Sequence, residues 1–293
     1  PPISKNFPYT TLFRSWIIGR RDDVYAFQKE ALVHGIPVFT DISRAAECLA
    51  AVLGERCRPE PMTDEKKEAR IMPVPLQKLL NSVSGPLDEH LSKEVLKAGG
   101  IPTIPEEIVA DPAHAEAAAA ALGYPVVMKG LVPGGIHKTE LGLVRLEISD
   151  RRAVRTTFEN LMEQMEGRGK VLIQKQHPGR VELILGLLRD PQFGPCVMFG
   201  PGGVLAELYD DTAFAAAPLT YGETLKLIGR IRSRKVLDGF RGAPPVNREE
   251  IARILVALGE IGLSQPRIRE IDINPLIVGE QGAAAADATI ILG

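Results

Sequence analysis

An alternating row of acids is the feature of this sequence that points most directly to chemistry. Residues 269–275 read Arg-Glu-Ile-Asp-Ile-Asn-Pro, and successive side chains of a β-strand point to opposite faces. Glu270, Asp272 and Asn274 would therefore share one face, and the isoleucines would share the other. Burying such groups is costly unless a cation satisfies them, and oxygen ligands of this kind suit Mg²⁺ held together with nucleotide phosphates. A solvent-exposed polar strand face is the alternative interpretation.

A further acid, Asp287, lies in the segment Ala-Ala-Ala-Asp-Ala-Thr-Ile-Ile-Leu. A short turn between Gly279 and Gly282 predicts a hairpin that folds this segment back beside the first strand. The hairpin would bring Asp287 opposite Asp272 and Asn274, so the sequence gathers its candidate cation ligands at one place.

A lysine followed by a glycine-rich loop is the second candidate feature. Lys129 ends the apolar strand Tyr-Pro-Val-Val-Met-Lys-Gly, and a lysine at a strand end beside glycine is a common way to bind phosphate. The following loop, 132–142, carries three glycines whose backbone N–H groups could close over phosphates. An exposed strand-end lysine and a simple connecting loop are the alternatives. A simple loop would not need the adjacent His137 and Lys138.

Two polar residues bracket a Pro-Gly turn further along the chain. Gln174 ends the run Lys-Val-Leu-Ile-Gln, and Glu182 begins Glu-Leu-Ile-Leu-Gly. The pair could accept hydrogen bonds from an adenine amino group and a ribose hydroxyl. As bare residues they are also compatible with ordinary surface positions.

The composition predicts a soluble, cytoplasmic protein. The 293 residues are 45% hydrophobic and 25% charged with a net charge of −2, which gives no electrostatic footprint for nucleic acid or an anionic membrane. The three cysteines and five histidines have no spacing typical of zinc sites or disulfide frameworks. No apolar run approaches the roughly 20 residues that a membrane helix needs.

The order of elements predicts an α/β or α+β fold with antiparallel segments. We expect residues 1–15 to be non-native, because the chain begins Pro1-Pro2 and this segment resembles a translated adaptor. Residues 16–55 are expected to be the end of an α/β domain, 56–84 a charged linker, and 85–293 the main domain. Predicted helices cover 23–34, 41–53, 88–98, 111–122, 150–166, 221–233 and 247–262. Predicted strands cover 36–39, 125–130, 143–148, 171–174, 181–188 and 196–199, followed by the hairpin.

Taken together, these motifs resemble a known family. From about Leu87 to Leu292 the chain is similar to the ATP-grasp domain of nucleoside-diphosphate-forming acyl-CoA synthetases, related to the β subunit of succinyl-CoA synthetase. The motifs, in the family's order, are Gly-Tyr-Pro-Val-Val-Met-Lys at 123–129, His-Lys-Thr-Glu-Leu-Gly at 137–142, the segment 182–194, Met-Phe-Gly-Pro-Gly-Gly at 198–203, Arg-Gly at 241–242 and Glu-Ile-Asp-Ile-Asn-Pro at 270–275. The resemblance implies an ATP-grasp fold of two α+β subdomains. Residues 35–46 resemble the end of the flavodoxin-like CoA-ligase domain that precedes it in fused members.

The resemblance also implies an activity and a set of site residues. The reaction would be acyl-CoA + ADP + phosphate ⇌ carboxylate + CoA + ATP, through phosphohistidine intermediates, with His137 as a phosphate carrier. The remaining implied residues fall into two groups. Those implied to bind ATP or ADP are Lys129, Lys138, Gly142, Gln174 and Glu182, and those implied to hold Mg²⁺ are Asp272, Asn274 and Asp287.

One departure and several open alternatives accompany the resemblance. Leu143 stands where many relatives have a second glycine, and a bulky side chain there is expected to restrict the approach of the loop backbone to a phosphate. The CoA-binding and phosphohistidine domains would lie upstream or on a separate subunit, and oligomerisation is left open. A regulatory ATP-grasp region of a protein acetyltransferase fusion and a nucleotide-binding module without turnover are the other interpretations. The acyl group is not identified by these residues.

Overall fold

The computed structural model describes residues 15–16, 26–27, 30–31, 33, 38–39, 72–132, 142–179, 181–203, 211–239 and 245–293. The chain forms two compact units, Pro1–Lys66 and Lys67–Gly293. In the first unit, strands β1 (Ser15–Trp16) and β2 (Val38–Phe39) pair in parallel. β1 thus begins at the last residue of the segment expected to be non-native.

Two of the three elements predicted for the first unit include described residues. Residues 26–27, 30–31 and 33 are helical, within the helix predicted over 23–34. β2 covers the second half of the strand predicted over 36–39. The helix predicted over 41–53 lies outside the described residues.

The second unit contains six α-helices, eleven strands and one 3₁₀ helix within the described residues. In chain order they are α1 (Val74–Ser82), β3 (Gly85–Pro86), α2 (Glu89–Ala98), β4 (Glu106–Val109), α3 (Pro112–Leu122), β5 (Val126–Leu131), β6 (Val144–Ile148), α4 (Arg151–Gln164), β7 (Lys170–Lys175), β8 (Val181–Asp190), β9 (Gly194–Pro201), β10 (Ala213–Ala216), α5 (Tyr221–Arg230), the 3₁₀ helix Arg232–Asp238, α6 (Arg248–Ser264), β11 (Ile268–Gly279), β12 (Gly282–Ala285) and β13 (Ala288–Leu292). The mixed α/β architecture with antiparallel strands agrees with the predicted fold class.

The larger sheet has seven strands in the order β10-β9-β8-β11-β13-β3, with β12 paired to β11. All of its pairings are antiparallel. Helices α2, α5 and α6 pack against it, and its main hydrophobic core includes Phe199, Leu255, Leu258 and Ile271. The sheet is therefore covered on the face that carries Ile271, which leaves the alternate residues of β11 on the other face.

The smaller sheet has four strands in the order β4-β7-β5-β6. Helices α3 and α4 cover one face, where Val126, Met128, Phe158, Leu161 and Ile173 form a second core. The alternate residues of β5 and β7 point to the opposite face and are also buried. These residues are Val127, Lys129, Leu131, Leu172 and Gln174.

Side-chain caps fix the start of the helices that were predicted most closely. Asp88 accepts a hydrogen bond from the backbone N–H of Leu91 at the start of α2. Asp111 does the same for His114 at the start of α3. Because an aspartate at this position satisfies a donor that the helix leaves unpaired, both starts could be read from the sequence.

The structure differs from the predicted elements in several places. α1 occupies the last part of the predicted linker 56–84, because Leu80 is buried in the main core although the neighbouring composition is charged. The short strands β3, β4 and β10 were not predicted. The helix predicted over 221–233 ends at Arg230 and is followed by the 3₁₀ helix. The returning strand of the final hairpin is interrupted between β12 and β13. In the part of the chain that the structure describes, each helix is too short or too polar to cross a bilayer.

Candidate functional site

The acid row lies on β11 with the alternation that the sequence predicts. Ile271 and Ile273 are buried in the main core. Glu270 and Asn274 are exposed and Asp272 is half-buried, on the opposite face of the strand. A buried apolar face thus holds the acids in register along the open face of the larger sheet.

Asp287 lies across from this row. β11 pairs with β13 through Asp272 with Thr289 and Ile273 with Ala288. β11 pairs with β12 in the same register, with Leu276 opposite Ala285. Asp287 stands in the break between β12 and β13, so this continuous register puts it opposite Asn274.

The acids on this face act on one another electrostatically. Burial raises the pKa of Asp272 to about 6, and the nearby carboxylates of Glu270 and Asp287 add to the effect. A cation would stabilise the charged form of Asp272, which burial and the neighbouring acids disfavour. Among the described residues, no group of three or more His, Cys, Asp or Glu is arranged to hold a metal. Mg²⁺ is nevertheless commonly held by only one or two carboxylates together with water and phosphate oxygens, so two aspartates and an amide fit it.

Lys129 is buried and meets this acid region from the smaller sheet. Its Nζ donates to Glu89 Oε1 at 2.7 Å and to the Ala286 carbonyl at 2.8 Å. It also lies 3.7 Å from Asp287 Oδ2. The exposed strand-end lysine of the alternative interpretation is therefore wrong, and the lysine lies beside a predicted cation ligand.

The surroundings of Lys129 keep it positively charged. Burial by itself lowers the pKa of this ammonium, but Glu89, Asp287 and Glu106 raise it by more, so that the pKa lies above its ordinary value. A charged ammonium next to a row of carboxylates suits a polyphosphate group. The lysine can contact a phosphate directly, and the carboxylates can hold a cation that contacts the phosphates in turn.

Gln174 and Glu182 occupy different environments. Gln174 is buried, and its Nε2 donates to the Ala286 carbonyl at 3.0 Å. Glu182 is exposed at the start of β8, where its carbonyl accepts a hydrogen bond from Gly202 N–H at 2.8 Å. A Cβ atom added at Gly203 would collide with the Glu182 carboxylate. The glycine-rich motif 198–203, which we call the glycine turn, therefore lies directly against Glu182. Gln174 instead belongs to the group around Ala286.

The structure describes only the first and last residues of the predicted phosphate loop, Val132 and Gly142. His137 and Lys138 lie outside the described residues. Gly142 has a φ of 62°, a left-handed conformation that favours glycine. Leu143 is buried in the core of the smaller sheet, and its carbonyl accepts a hydrogen bond from Gly130 N–H at 2.9 Å. Its side chain is therefore directed into the core of the smaller sheet.

Three charged residues at the site were missed by sequence reasoning. Lys93 Nζ lies 2.6 Å from Glu89 Oε1 and donates to the Ala286 carbonyl at 3.1 Å. Lys93 also forms an ion pair with Glu106. Glu89 and Lys93 stand four residues apart on a predicted helix, a spacing that is typical of surface ion pairs. This spacing was the available sequence signal for the Glu89–Lys93 ion pair, and it does not indicate that the pair is buried.

Comparison with known proteins identifies the family. A model of the ATP-grasp domain matches residues 78–292. The β subunit of ADP-forming acetate–CoA ligase I from Pyrococcus furiosus is 40% identical over 213 residues, which are 71% of this chain and 92% of that subunit. ADP-forming acetate–CoA ligase I from Archaeoglobus fulgidus is 35% identical over 274 residues, which are 88% of this chain but only 39% of that longer protein.

Solved structures agree with this result. The dinucleotide-forming acetyl-coenzyme A synthetase 1 of Ca. Korarchaeum cryptofilum, in complex with coenzyme A and Ca-AMPCP, superposes with a TM-score of 0.71 at 36% identity and covers 74% of this chain and 98% of its own. A selenomethionine form of that protein with coenzyme A and Mg-AMPPCP has a TM-score of 0.66 at 37% identity, with the same coverage of 74% and 98%. The predicted resemblance is therefore confirmed. The chain belongs to the ATP-grasp family, as a relative of the β subunits of ADP-forming acetate–CoA ligases.

Proposed function

We propose that this chain is the ATP- and ADP-binding part of an ADP-forming acyl-CoA synthetase. The overall reaction is acyl-CoA + ADP + phosphate ⇌ carboxylate + CoA + ATP. The observation that carries this proposal is the meeting of Lys129 from the smaller sheet with Asp287 from the larger one, at 3.7 Å. A direct cationic contact and a set of cation ligands at one junction are the two features that binding of a nucleotide di- or triphosphate needs.

The phosphate groups are assigned to this junction. Lys129 binds a phosphate oxygen through its ammonium, and Asp272, Asn274 and Asp287 are the residues that would hold Mg²⁺. When bound, the cation offsets negative charge on the transferring phosphoryl group and orients it. The Korarchaeum relative in complex with Mg-AMPPCP supports a magnesium nucleotide as the ligand. Lys138 and the backbone of Gly142 complete the phosphate contacts in this proposal.

The adenosine part is assigned to Gln174 and Glu182. The exposed carboxylate of Glu182, at the turn that carries Gly203, accepts a hydrogen bond from a ribose hydroxyl. Gln174 has its Nε2 on the Ala286 carbonyl, and its Oε1 is the acceptor for the adenine amino group. The nucleotide would thus extend from the glycine turn to the acid row.

His137 is the phosphate carrier in this proposal. A neutral imidazole nitrogen is a competent nucleophile near pH 7. It would attack the phosphorus of a phosphohistidine on the CoA-ligase side, so that the N–P bond of the donor breaks as a new N–P bond forms. A β-phosphate oxygen of ADP then attacks the same phosphorus, and the imidazole leaves as ATP forms.

The partner in this reaction is a CoA-binding and phosphohistidine region. The Pyrococcus relative is by name one subunit of its ligase, whereas this chain spans 39% of the Archaeoglobus ligase. These names support either a separate subunit or a further region of the same polypeptide. We place the reaction in the cytoplasm, where the soluble nucleotides that it uses are found.

Phosphate transfer from radiolabelled ATP tests the proposed function. The chain is incubated with Mg-ATP labelled at the γ-phosphate, and we expect protein-bound phosphate that is labile to acid and stable to base. His137→Ala should lose this label. His114→Ala is the matched control, because the His114 side chain is 41% exposed and its Nε2 lies 2.7 Å from Glu107 Oε1 on the smaller sheet. Equal labelling of His137→Ala and the parent would exclude His137 as the carrier.

A further inference from the structure

Glu89 lies at the centre of a buried group of charges, which we call the Glu89 cluster: Glu89, Lys93, Glu106 and Lys129. One oxygen of Glu89, Oε1, lies 2.6 Å from Lys93 Nζ and 2.7 Å from Lys129 Nζ. Both ammonium groups also donate to the carbonyl of Ala286, at 3.1 and 2.8 Å. Two lysines therefore share the same carboxylate oxygen and the same carbonyl oxygen.

The cluster connects the two sheets. Glu89 and Lys93 belong to α2, which packs on the larger sheet, and Ala286 follows β12 of that sheet. Lys129 comes from β5 of the smaller sheet, and Glu106 comes from β4, which is separated from β5 by β7 in the same sheet. The ammonium of Lys129 is thus held mainly by Glu89, on the helix that packs on the larger sheet, and by the Ala286 carbonyl of that sheet.

The electrostatics make Glu89 the group that fixes this arrangement. Two ammonium ions that share one acceptor repel each other, and the repulsion is strong where water is excluded. The Glu89 carboxylate stands between them and offsets it. Glu106 is the other carboxylate of the cluster, but it is engaged by Lys93 and by His90, whose Nδ1 lies 3.0 Å from Glu106 Oε1. Removing the charge of Glu89 would therefore leave Lys93 and Lys129 facing each other, and Lys129 would move.

We propose that Glu89 is a positioning residue for nucleotide phosphate binding. Glu89 holds the Lys129 ammonium at the junction beside Asp287, and Lys93 anchors Glu89 from the other side. Glu89 acts only through Lys129 and does not itself contact the nucleotide. This inference rests on the proposed function, because it is there that Lys129 binds phosphate.

A double-mutant cycle separates positioning from simple stabilisation. Calorimetric titrations with Mg-ADP and with adenosine are made on the parent, Glu89→Gln, Lys129→Met and the double variant. We expect Glu89→Gln to weaken Mg-ADP binding by about tenfold, as for directly coupled residues in contact. Adenosine affinity should be unchanged. In the Lys129→Met background, Glu89→Gln should have almost no further effect on Mg-ADP, because the group that it positions is gone.

Glu116→Gln is the matched control for this cycle. Glu116 is also a buried glutamate that bridges two cations, but it links α3 to α4 and takes no part in the Glu89 cluster. Its substitution should leave Mg-ADP affinity unchanged. If Glu89→Gln does not fold, Glu89→Asp replaces it in the same cycle. Aspartate keeps the negative charge, but its side chain is one methylene shorter, so the carboxylate lies farther from Lys129.

Each outcome of the cycle bears on one claim. If Lys129→Met leaves Mg-ADP affinity unchanged, the proposed phosphate contact is wrong and the positioning role fails with it. If Lys129→Met weakens binding but the Glu89 variant does not, only the positioning role is wrong. Two results would make Glu89 a structural residue and overturn the proposal. In the first, Glu89→Gln weakens adenosine and Mg-ADP binding equally. In the second, Glu89→Gln weakens Mg-ADP binding as much in the Lys129→Met background as in the parent.

Discussion

Two glutamates of the second unit have the same local chemistry and different surroundings. Glu89 and Glu116 are both buried and each bridges two cations. The cations of Glu116, Arg151 and Arg155, have side chains that are 79% and 51% exposed. Those of Glu89, Lys93 and Lys129, are only 2% and 7% exposed. Water can therefore solvate one pair of cations and is excluded from the other.

This difference separates a structural bridge from a candidate functional one. Glu116 joins α3 to α4 across the surface of the smaller sheet, where the arginines gain an ion pair with little loss of hydration. Burying two ammonium ions and their carboxylates carries a desolvation penalty that ion pairing need not recover. Stability alone thus explains the Glu116 bridge but gives a weak reason for the Glu89 cluster. The position of Lys129 beside the acid row gives the stronger reason.

The largest expected effect is that of Lys129→Met on nucleotide binding. A charge-assisted contact to phosphate contributes roughly 1.5–3 kcal/mol, so Mg-ADP and Mg-ATP affinity should fall by about tenfold or more. Methionine keeps most of the bulk of lysine without its charge, whereas alanine loses both. Because the charge is what binds phosphate, Lys129→Ala should show the same loss of affinity. Adenosine has no phosphate, and calorimetry should show no change in its affinity. Equal losses for adenosine and Mg-ATP would point to a folding defect.

The acid row should show a similar or somewhat smaller effect. Asp272→Ala or Asp287→Ala removes one carboxylate from the proposed cation site, and Mg-nucleotide affinity is expected to fall on the order of tenfold. Titration of Mg-ATP measures this loss. Asp238→Ala serves as the control, since Asp238 is exposed and pairs with Arg248. Unchanged affinity in both acid-row variants would rule out the assignment.

Glu116→Gln should affect folding alone. The variant loses the charge that both arginines contact, and a small fall in melting temperature is expected, because water solvates the exposed arginines and weakens both ion pairs. Thermal denaturation measures this fall, and Mg-ADP titration should match that of the parent. A marked loss of Mg-ADP affinity would break the distinction between the two glutamates.

The smallest effect is a pH dependence of the Glu116 bridge. Hydrogen bonding to Arg151, and then to Arg155, holds the pKa of Glu116 below its ordinary value of 4.5 although burial opposes this. A lowered pKa means that the stabilisation is present above the ordinary value and is lost as the pH falls through the folded-state pKa. The melting temperatures of the parent and Glu116→Gln should therefore converge on acidification below pH 4.5. A constant difference would show that the charge of Glu116 is not the source of the stabilisation.

The placement of the proposed cation ligands was predictable because their geometry is local. Alternation along β11 and one short turn are enough to bring Asp272 and Asp287 near each other, and the structure has both. The partners of Lys129 were not predictable, since Glu89 and Ala286 are 40 and 157 residues away in the sequence. The helix spacing of Glu89 and Lys93 is the same whether the pair is exposed or buried, so only tertiary packing distinguishes the two cases.

The fold shows the same division between local and distant causes. The helices at Asp88 and Asp111 were predicted close to their observed starts, and the aspartate caps that fix those starts act within a few residues. β4 reads Glu-Glu-Ile-Val and lacks alternation, and it forms a strand because β7 offers it an edge to pair with. Leu143 was judged by its neighbours in the loop, whereas its side chain is placed by the core of the smaller sheet.

A crystal structure of the chain with Mg-AMPPCP tests the central claim most directly. The account predicts that Lys129 Nζ contacts a phosphate oxygen of the nucleotide while Glu89 still holds the same ammonium. It also predicts that the cation lies on Asp272 and Asp287. A nucleotide whose phosphates lie elsewhere, with Lys129 bound only to Glu89 and Ala286, would contradict it.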